Sequence, residues 1–360
     1  ERLDIDVSSA ITVAEVRKKI LEHVRLPADT PRECVRLMVG SEELVDHDSV
    51  GSLSSCITNV VIDGEAQEKL LEQRCFGMSL TKFLGQTQEQ ALTLGYKGLT
   101  GLPESFGRLA HLNQVDLSGN KLGSLPESVG KLAALETLAL RHNKLALLPS
   151  SFGQLIALRT LDIEGNALAC LPRGFGKLVA LETLDLNANM LSSLPDGFGD
   201  LLALKTLHLN GNKLACLPDE FGQLTALHTL DLEGNCLHSL PKTFGQLLAL
   251  RTLLLQGNTL ESLPEGFGRL AALQTLDLSS NGLASLPESF GRLAALRELE
   301  LRHNKLSRLP NSFGQLSALL TVDLEGNVLA FLPESFGQLA SLETLDLLDN
   351  KLTGLPDNFG

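Results

Sequence analysis

From Leu92 onward, leucines recur at fixed offsets within a 23-residue period. Residues 171–193, LPRGFGKLVALETLDLNANMLSS, show one unit of the shared frame LPxxFGxLxxLxxLxLxxNxLxx. Twelve of the fourteen prolines keep this step, from Pro103 to Pro356, and eleven asparagines keep it from Asn120 to Asn350. A register held without one insertion is the mark of a repeat architecture, where each unit buries its apolar face only against its neighbours.

Each frame position has a physical reading. The L-x-L segment, such as Leu184 and Leu186, predicts a short strand with leucines inward and the alternate residues outward. Stacked units then form one parallel sheet along a concave side. The asparagine after each strand turns inward, where its amide satisfies backbone groups that no ladder reaches. Proline opens a short helical turn, and the Phe and Leu of FGxL fill the convex half of the core. The glycine after Phe is expected to allow a tight bend that a side chain would obstruct. Eight of the twelve residues after proline are acidic, as at Glu127 and Asp196. Five of eleven complete units place Lys or Arg after the glycine, as at Lys131 and Arg269. That is the polarity a short helix dipole prefers, so these charges read as structural.

Residues 1–62 do not repeat. Leu3, Ile5 and Val7 alternate as in a strand, and ITVAEVRKKILEHVRLP reads as a helix with Val13, Val16, Ile20 and Val24 on one side. A strand VRLMVG, a turn with Leu44 and Asp46, and a last strand TNVVID follow. Residues 63–90 read as a helix (GEAQEKLLEQR) and an apolar piece with Phe76, Met78, Leu80, Phe83 and Leu84. This segment is expected to cap the N-terminal end of the repeats, because an open end exposes core. Residues 91–360 then hold twelve repeats, with Lys97 in the asparagine slot of the first and no C-terminal cap before Gly360.

Composition narrows the function. The chain has 30 Lys plus Arg against 43 Asp plus Glu, a formal charge of −13, one Tyr and no Trp. Phosphate binding needs clustered cations and single strands need stacking aromatics, so nucleic acid is excluded as a partner. Anionic membrane surfaces are disfavoured for the same reason, and no apolar run reaches the roughly 18 residues of a membrane span. The six cysteines form no C-x-x-C pair and match neither a zinc ribbon nor a disulfide scaffold. With no N-x-Ser/Thr site, the expected compartment is intracellular and cytoplasmic. A chain beginning at Glu1 leaves room for a targeting peptide upstream.

Enzyme signatures fail in turn. Gly130–Lys131 and Gly176–Lys177 are followed by Leu, not by the Ser or Thr of a phosphate loop. There is no H-E-x-x-H, no G-x-S-x-G and no metal-ligand spacing among the eight His. No catalytic residue, metal, cofactor or small-molecule substrate is expected. Cys170 and Cys216 share a slot two units apart and read as small buried side chains.

Binding is the better prospect, and the outward residues sort into columns. Glu136, Arg159, Glu182 and Lys205 alternate in sign between neighbouring units and are expected to pair with one another. Thr137, Thr160, Thr183, Thr206, Thr229, Thr252, Thr275, Thr321 and Thr344 suit a strand. A third column holds Asp116, Asp162, Asp185, Asp231, Asp277, Glu300, Asp323 and Asp346. Two readings stand for it: solvated acids common to this kind of repeat, and a site for a basic partner. Residues that break the columns are the further contact candidates: Arg141–His142 and Arg302–His303 in identical RHNKL contexts, His208, Leu254, Leu348 and the lone Tyr96. Repeat-to-repeat drift is the competing reading for these.

The frame resembles the Ras-group class of intracellular leucine-rich-repeat proteins, which includes plant Ras-group-related proteins and animal scaffolds of the Scribble type. The resemblance covers residues 92–360, with Phe standing where many members carry Ile before the glycine. It implies an α/β fold: a right-handed leucine-rich-repeat solenoid with a parallel concave sheet. Residues 1–62 resemble the ubiquitin-like β-grasp fold from its second strand onward, through T-x-x-x-V-x-x-x-I from Thr12 to Ile20, Pro27, Gly40, Leu44, Asp46 and Leu53. Arg36 stands where that pattern wants an apolar residue, and no Gly-Gly follows Ile62, so conjugation is not implied. The combined expectation is a non-enzymatic protein–protein interaction scaffold or accessory complex subunit, binding protein partners on the concave face. Alternatives are a regulatory adaptor for a small GTPase or phosphatase, and a ubiquitin-pathway adaptor using the N-terminal domain as its handle.

Overall fold

The computed structural model describes residues 35–39, 42–43, 59–62, 71–73, 75 and 89–359. Backbone contacts divide the chain into two units, Glu1–Glu89 with Gly101–Leu109, and Gln90–Thr100 with Ala110–Gly360.

In the first unit, strand β1 (Val35–Val39) pairs antiparallel with β2 (Glu42–Glu43) on one side and β3 (Asn59–Ile62) on the other. β1 and β3 coincide with the segments VRLMVG and TNVVID. The expected first strand, and the helix after Thr12, lie outside the described residues. Residues 71–73 and 75 are helical. Cys75 is buried with its Sγ 3.9 Å from the Gly101 carbonyl oxygen, and Ser105 Oγ donates to Glu72 Oε1 at 2.6 Å. The helix therefore packs on the proline turn of the first repeat. The apolar piece from Phe76 to Leu84 is outside the described residues.

The second unit is a single parallel sheet of twelve three-residue strands, β4 (Ala91–Thr93) through β15 (Thr344–Asp346), in unbroken chain order. Each strand pairs with the one 23 residues away, so threonine faces threonine and leucine faces leucine, as in Thr229 against Thr206 and Thr252. The central residue of each strand from β4 to β14 is buried and its flanks point out. Backbone bonding outlasts the strands: Leu209 N–H donates to the Asp231 carbonyl at 2.8 Å and Gly211 N–H to that of Glu233 at 2.9 Å.

Behind the sheet, each repeat proline from Pro103 to Pro333 precedes a 3–10 turn of three to five residues, closed by bonds such as Phe221 N–H to the Pro218 carbonyl at 3.0 Å. So few residues cannot complete an α-helix, and the tighter spiral is the natural choice. The acid after proline does more than answer a helix dipole. Glu127 accepts from the Ser150 and Ser151 amides of the next unit, both at 3.0 Å. These bonds hold its carboxyl below the usual carboxylate range. Glu288 bonds Asn311 and Ser312 in the same way.

Two ladders fill the interior. Phenylalanine rings from Phe152 to Phe336 stack nearly parallel, with centroids 5.7–6.3 Å apart. Their spacing depends on the glycine that follows each ring. A Cβ at these glycines would collide with the backbone of the next unit's turn, Thr243 in the case of Gly222. The expected role of this glycine in a bend is thus corrected: it is the gap that lets neighbouring turns touch. The second ladder is asparagine. Asn235 accepts from Leu214 N–H at 3.0 Å and donates to the carbonyls of Leu209 at 2.9 Å and Leu232 at 3.0 Å. The same bridge recurs from Asn143 to Asn350.

Two glycines separate the roles. Gly222→Ala should lower stability by about 2 kcal/mol, since a methyl in a filled gap forces the backbone apart. Gly123 has nothing within 4 Å of its would-be Cβ. Gly123→Ala should therefore be neutral or stabilise by about 0.5 kcal/mol. Urea unfolding midpoints compare the two, and equal losses would contradict the close-approach account.

Candidate functional site

The outward face of the twelve-stranded sheet collects the candidate residues. On the T-L-D strands the leucine turns inward, buried in all but the last, so threonine and aspartate project to the same side. The residue before each threonine and the two after each inward asparagine-ward leucine widen this face into a lattice of columns, with neighbouring strands about 4.8 Å apart.

The first column pairs as its alternating signs predict. Arg159 reaches Glu182 at 2.8 Å and Glu136 at 4.0 Å, and Lys205 meets the same Glu182 from the other side. Lys205 and then Arg159 hold the Glu182 carboxyl below its ordinary range.

The acidic column has a local job that neither sequence reading named. In Asp116, Asp162, Asp185, Asp231, Asp277, Asp323 and Asp346, Oδ1 accepts the backbone N–H two residues on, at 2.8–3.1 Å. This Asx turn closes the strand. One oxygen is thereby committed to the fold, and Oδ2 is left to the face. Burial pushes the Asp162 and Asp185 carboxyls upward against these bonds. Glu300 sits between Asp277 and Asp323 on neighbouring strands, and burial, then Asp323 and Asp277, raise its pKa.

The column-breakers divide. His208 lies with Nδ1 3.9 Å from Asp231 Oδ2, which also accepts from Asn210 Nδ2 at 3.0 Å. Asp231 raises the pKa of His208 despite the ring's partial burial. Burial pushes the Asp231 carboxyl up, but His208, the Glu233 amide and Asn210 together bring it below its usual value. At 7% exposure Asp231 belongs to its own network, which corrects its place among freely available contact residues. Leu254 is half-buried on β11 (Thr252–Leu254), whereas Leu348 is 67% exposed.

Tyr96, His142 and His303 carry a constraint the sequence reading missed. With Ala188, Ser280 and Asp349 they are the non-glycine residues at positive φ among the described residues, between 51° and 58°, and all six share one frame position. The other units place glycine there, as the left-handed turn favours. Each ring lies over the glycine of the following unit: Tyr96 on Gly119, His142 on Gly165, His303 on Gly326. A Cβ at Gly165 would stand 2.5 Å from His142 Nδ1. The signal was in the sequence, as an aromatic or histidine followed by glycine 23 residues later. The rings nonetheless stay exposed, Tyr96 at 71%, and keep their place on the face beside Arg141 and Arg302. Arg141 is exposed near Asp162, and Arg302 is half-exposed near Glu300.

Asp162, Glu164 and Asp185 bring carboxylate oxygens within 4.8 Å of one another, as do Asp323, Glu325 and Asp346. Solvated acids group this way without a cation, and proximity alone assigns no metal. Cys170 and Cys216 are exposed free thiols, as is Cys236, which corrects the expectation of buried cysteines. Their slot just before Leu-Pro lies outside the core, where the frame leaves a solvent-facing position. Among the described residues no helix is long and apolar enough to cross a membrane.

The family model described as "Leucine-rich repeat region" matches residues 99–196, 152–233 and 195–281, and a second leucine rich repeat model matches 285–329. No curated protein matches the chain by sequence. A solved leucine-rich-repeat protein of Leptospira interrogans is 31% identical with a TM-score of 0.54, over 78% of this chain and 89% of that one. A chain from an octameric complex of Latrophilin 3, Unc5D and FLRT2 is 25% identical (TM-score 0.58, 71% and 82% covered). A structure of the Arabidopsis receptor kinase HAESA, in complex with the peptide hormone IDA and the co-receptor SERK1, is 27% identical (TM-score 0.59, 72% and 50% covered).

Two titrations test the electrostatics of the face. The raised pKa of His208 means that its stabilisation is full below about pH 6.5 and is lost as pH climbs through the folded value. The lowered pKa of Asp231 removes the pairing only in acid. His208→Ala should therefore cost most near pH 5.5, about 0.5–1 kcal/mol, and least above pH 8; a cost independent of pH would refute the pairing. Glu300→Gln should stabilise by about 0.5 kcal/mol at pH 7 by removing crowded like charge. That gain should vanish near pH 4, where Glu300 is already protonated. Guanidinium unfolding across pH reads both.

Proposed function

Given that this chain belongs to the leucine-rich-repeat family, we propose that it is a non-enzymatic interaction scaffold or accessory subunit of a larger assembly. It binds a protein partner through the outward face of the sheet. The observation that carries this reading is the face itself: twelve strands in one register present half-buried polar and charged columns on a backbone held by asparagine at every step. Such a surface is rigid before binding, so little ordering cost falls on the scaffold side. The comparison structures point the same way, since one is a multi-protein complex and another holds a peptide hormone.

The residues we assign to contact are Tyr96, Arg141, His142, Leu254, Arg302, His303, Leu348 and the outward oxygens of the acidic column. The Ras-group resemblance adds an adaptor role toward a small GTPase or phosphatase. It rests on the LPxxFGxLxxLxxLxLxxN frame. A ubiquitin-pathway role through residues 1–62 rests on the T-x-x-x-V-x-x-x-I resemblance alone. An intracellular setting is supported by the exposed free thiols at Cys170, Cys216 and Cys236, which a reducing compartment tolerates.

A photo-crosslinking residue installed at Arg251 or Gln274, both exposed on the face, should capture the same stoichiometric partner from native extract. Installed at Gln223 or Gln246, exposed on the proline-turn flank, it should not. Capture from the flank alone would overturn the sheet-face reading.

A further inference from the structure

The two halves of the sheet face differ in how their charges are answered. Among the described residues the ion pairs are Arg159 with Glu136 and Glu182, Lys205 with Glu182, and His208 with Asp231. All lie in the N-terminal half. From Asp277 onward the acidic column runs through four successive strands, Asp277, Glu300, Asp323 and Asp346, paired in register. Glu298 and Glu325 stand beside it, partly or fully exposed. Arg292, Arg297, Arg302, Lys305 and Arg308 are the lysines and arginines of this stretch, and among the described residues none forms an ion pair. The row therefore keeps an excess of negative charge, and Glu300, pushed up first by burial and then by Asp323 and Asp277 against the pull of Arg302, sits within it.

Apolar contacts flank this row. Leu254 occupies the same column one strand before Asp277, and Leu348 is exposed just beyond Asp346. Leu320 is half-exposed in the column that holds Arg297. From Asp277 to Asp346 is three strand steps, about 14 Å at the usual spacing. A single small ion cannot answer charge spread over that length. Phosphate-bearing partners share its sign and are repelled. A chain carrying several Lys or Arg can meet every carboxylate while its aliphatic stems and apolar neighbours cover the leucines.

We propose that the C-terminal half of the sheet face, Leu254 to Leu348, binds a basic, extended polypeptide segment laid along the carboxylate row. This rests on the reading of the sheet face as the binding surface. The Asx turns use Oδ1 of each aspartate and leave Oδ2 to the cationic groups. In the N-terminal half Ala139 and His208 interrupt the column, so its acids form no row of four.

The test uses the full chain and a fluorescein-labelled twelve-residue peptide with four lysines and a leucine near each end, read by anisotropy. Its comparison peptide replaces the lysines with glutamine. At about 0.15 M salt the wild type should bind the lysine peptide about tenfold more tightly than the glutamine peptide. The triple variant Asp277→Asn, Glu300→Gln, Asp323→Asn should lose about tenfold toward the lysine peptide. Asparagine keeps the acceptor for each Asx turn, so this variant should melt at or above the wild-type temperature, which circular dichroism checks. Asp196→Asn with Asp219→Asn, exposed on the proline-turn flank, should leave peptide affinity within about twofold. Equal losses in both variants would mean general attraction to the net charge and would overturn the proposal, as would a wild type that does not distinguish the peptides. The underlying reading is separable. A partner captured at Arg251 or Gln274 but fully retained by the triple variant would sink the basic-segment proposal alone. A partner captured only from the flank would sink the face reading itself.

Discussion

The inward asparagine amide is the interaction on which the structure depends. It bonds a carbonyl of its own strand, a carbonyl of the preceding strand and an N–H of the preceding loop, as Asn235 does with Leu232, Leu209 and Leu214. These backbone groups are buried beyond the reach of the strand ladder, where each unanswered group costs about 1–3 kcal/mol. The bridge closes only when successive units have equal length. An inserted residue between two asparagines would carry the amide away from all three partners. The 23-residue register is thus a geometric demand of a buried polar group, and the hydrophobic columns keep step with it.

A second constraint works on the opposite side of each unit. The phenylalanine rings stack at about the repeat spacing because the following glycine allows the next turn's backbone to press against it. Asparagine sets the spacing beside the sheet and phenylalanine–glycine sets it beside the proline turns. With both sides held, outward residues fall into straight columns, and every substitution in a column meets its counterparts one unit away. That is why charge pattern acquires meaning here. Alternation yields the Glu136–Arg159–Glu182–Lys205 ladder, whereas repetition yields the crowded acids around Glu300.

The same regularity explains why a face with no catalytic constellation is suited to recognition. Many of its side chains are tied down by neighbours: aspartates by their Asx turns, and Asp231 by His208 and Asn210. What remains available is narrower than a list of outward residues suggests, namely second carboxylate oxygens, two arginines of the RHNKL segments, the exposed Tyr96, His142 and His303 rings and a few exposed leucines. Selectivity on such a surface comes from the spacing and sign of these groups along the columns.

Periodicity alone determined the parallel sheet, its register, the inward leucines and asparagines, the proline turns and the pairing of the alternating charge ladder. Each of these follows from a repeat that every unit obeys, so the pattern along the chain and the pattern in space coincide. Contacts between units at single positions were decided by the tertiary structure. Glycine after phenylalanine was readable as a bend, but only the neighbouring backbone shows that it is a gap. Cys170 and Cys216 sit in a slot whose exposure depends on how the loop leaves the core. His142 and His303 were visible as irregularities, yet their left-handed backbone and their seat on Gly165 and Gly326 require φ and the next unit's position. Asp231 shares its letter with seven column partners' acidity but is buried by His208 and Asn210. A linear pattern reports what every unit has in common, and packing decides what one unit does to the next.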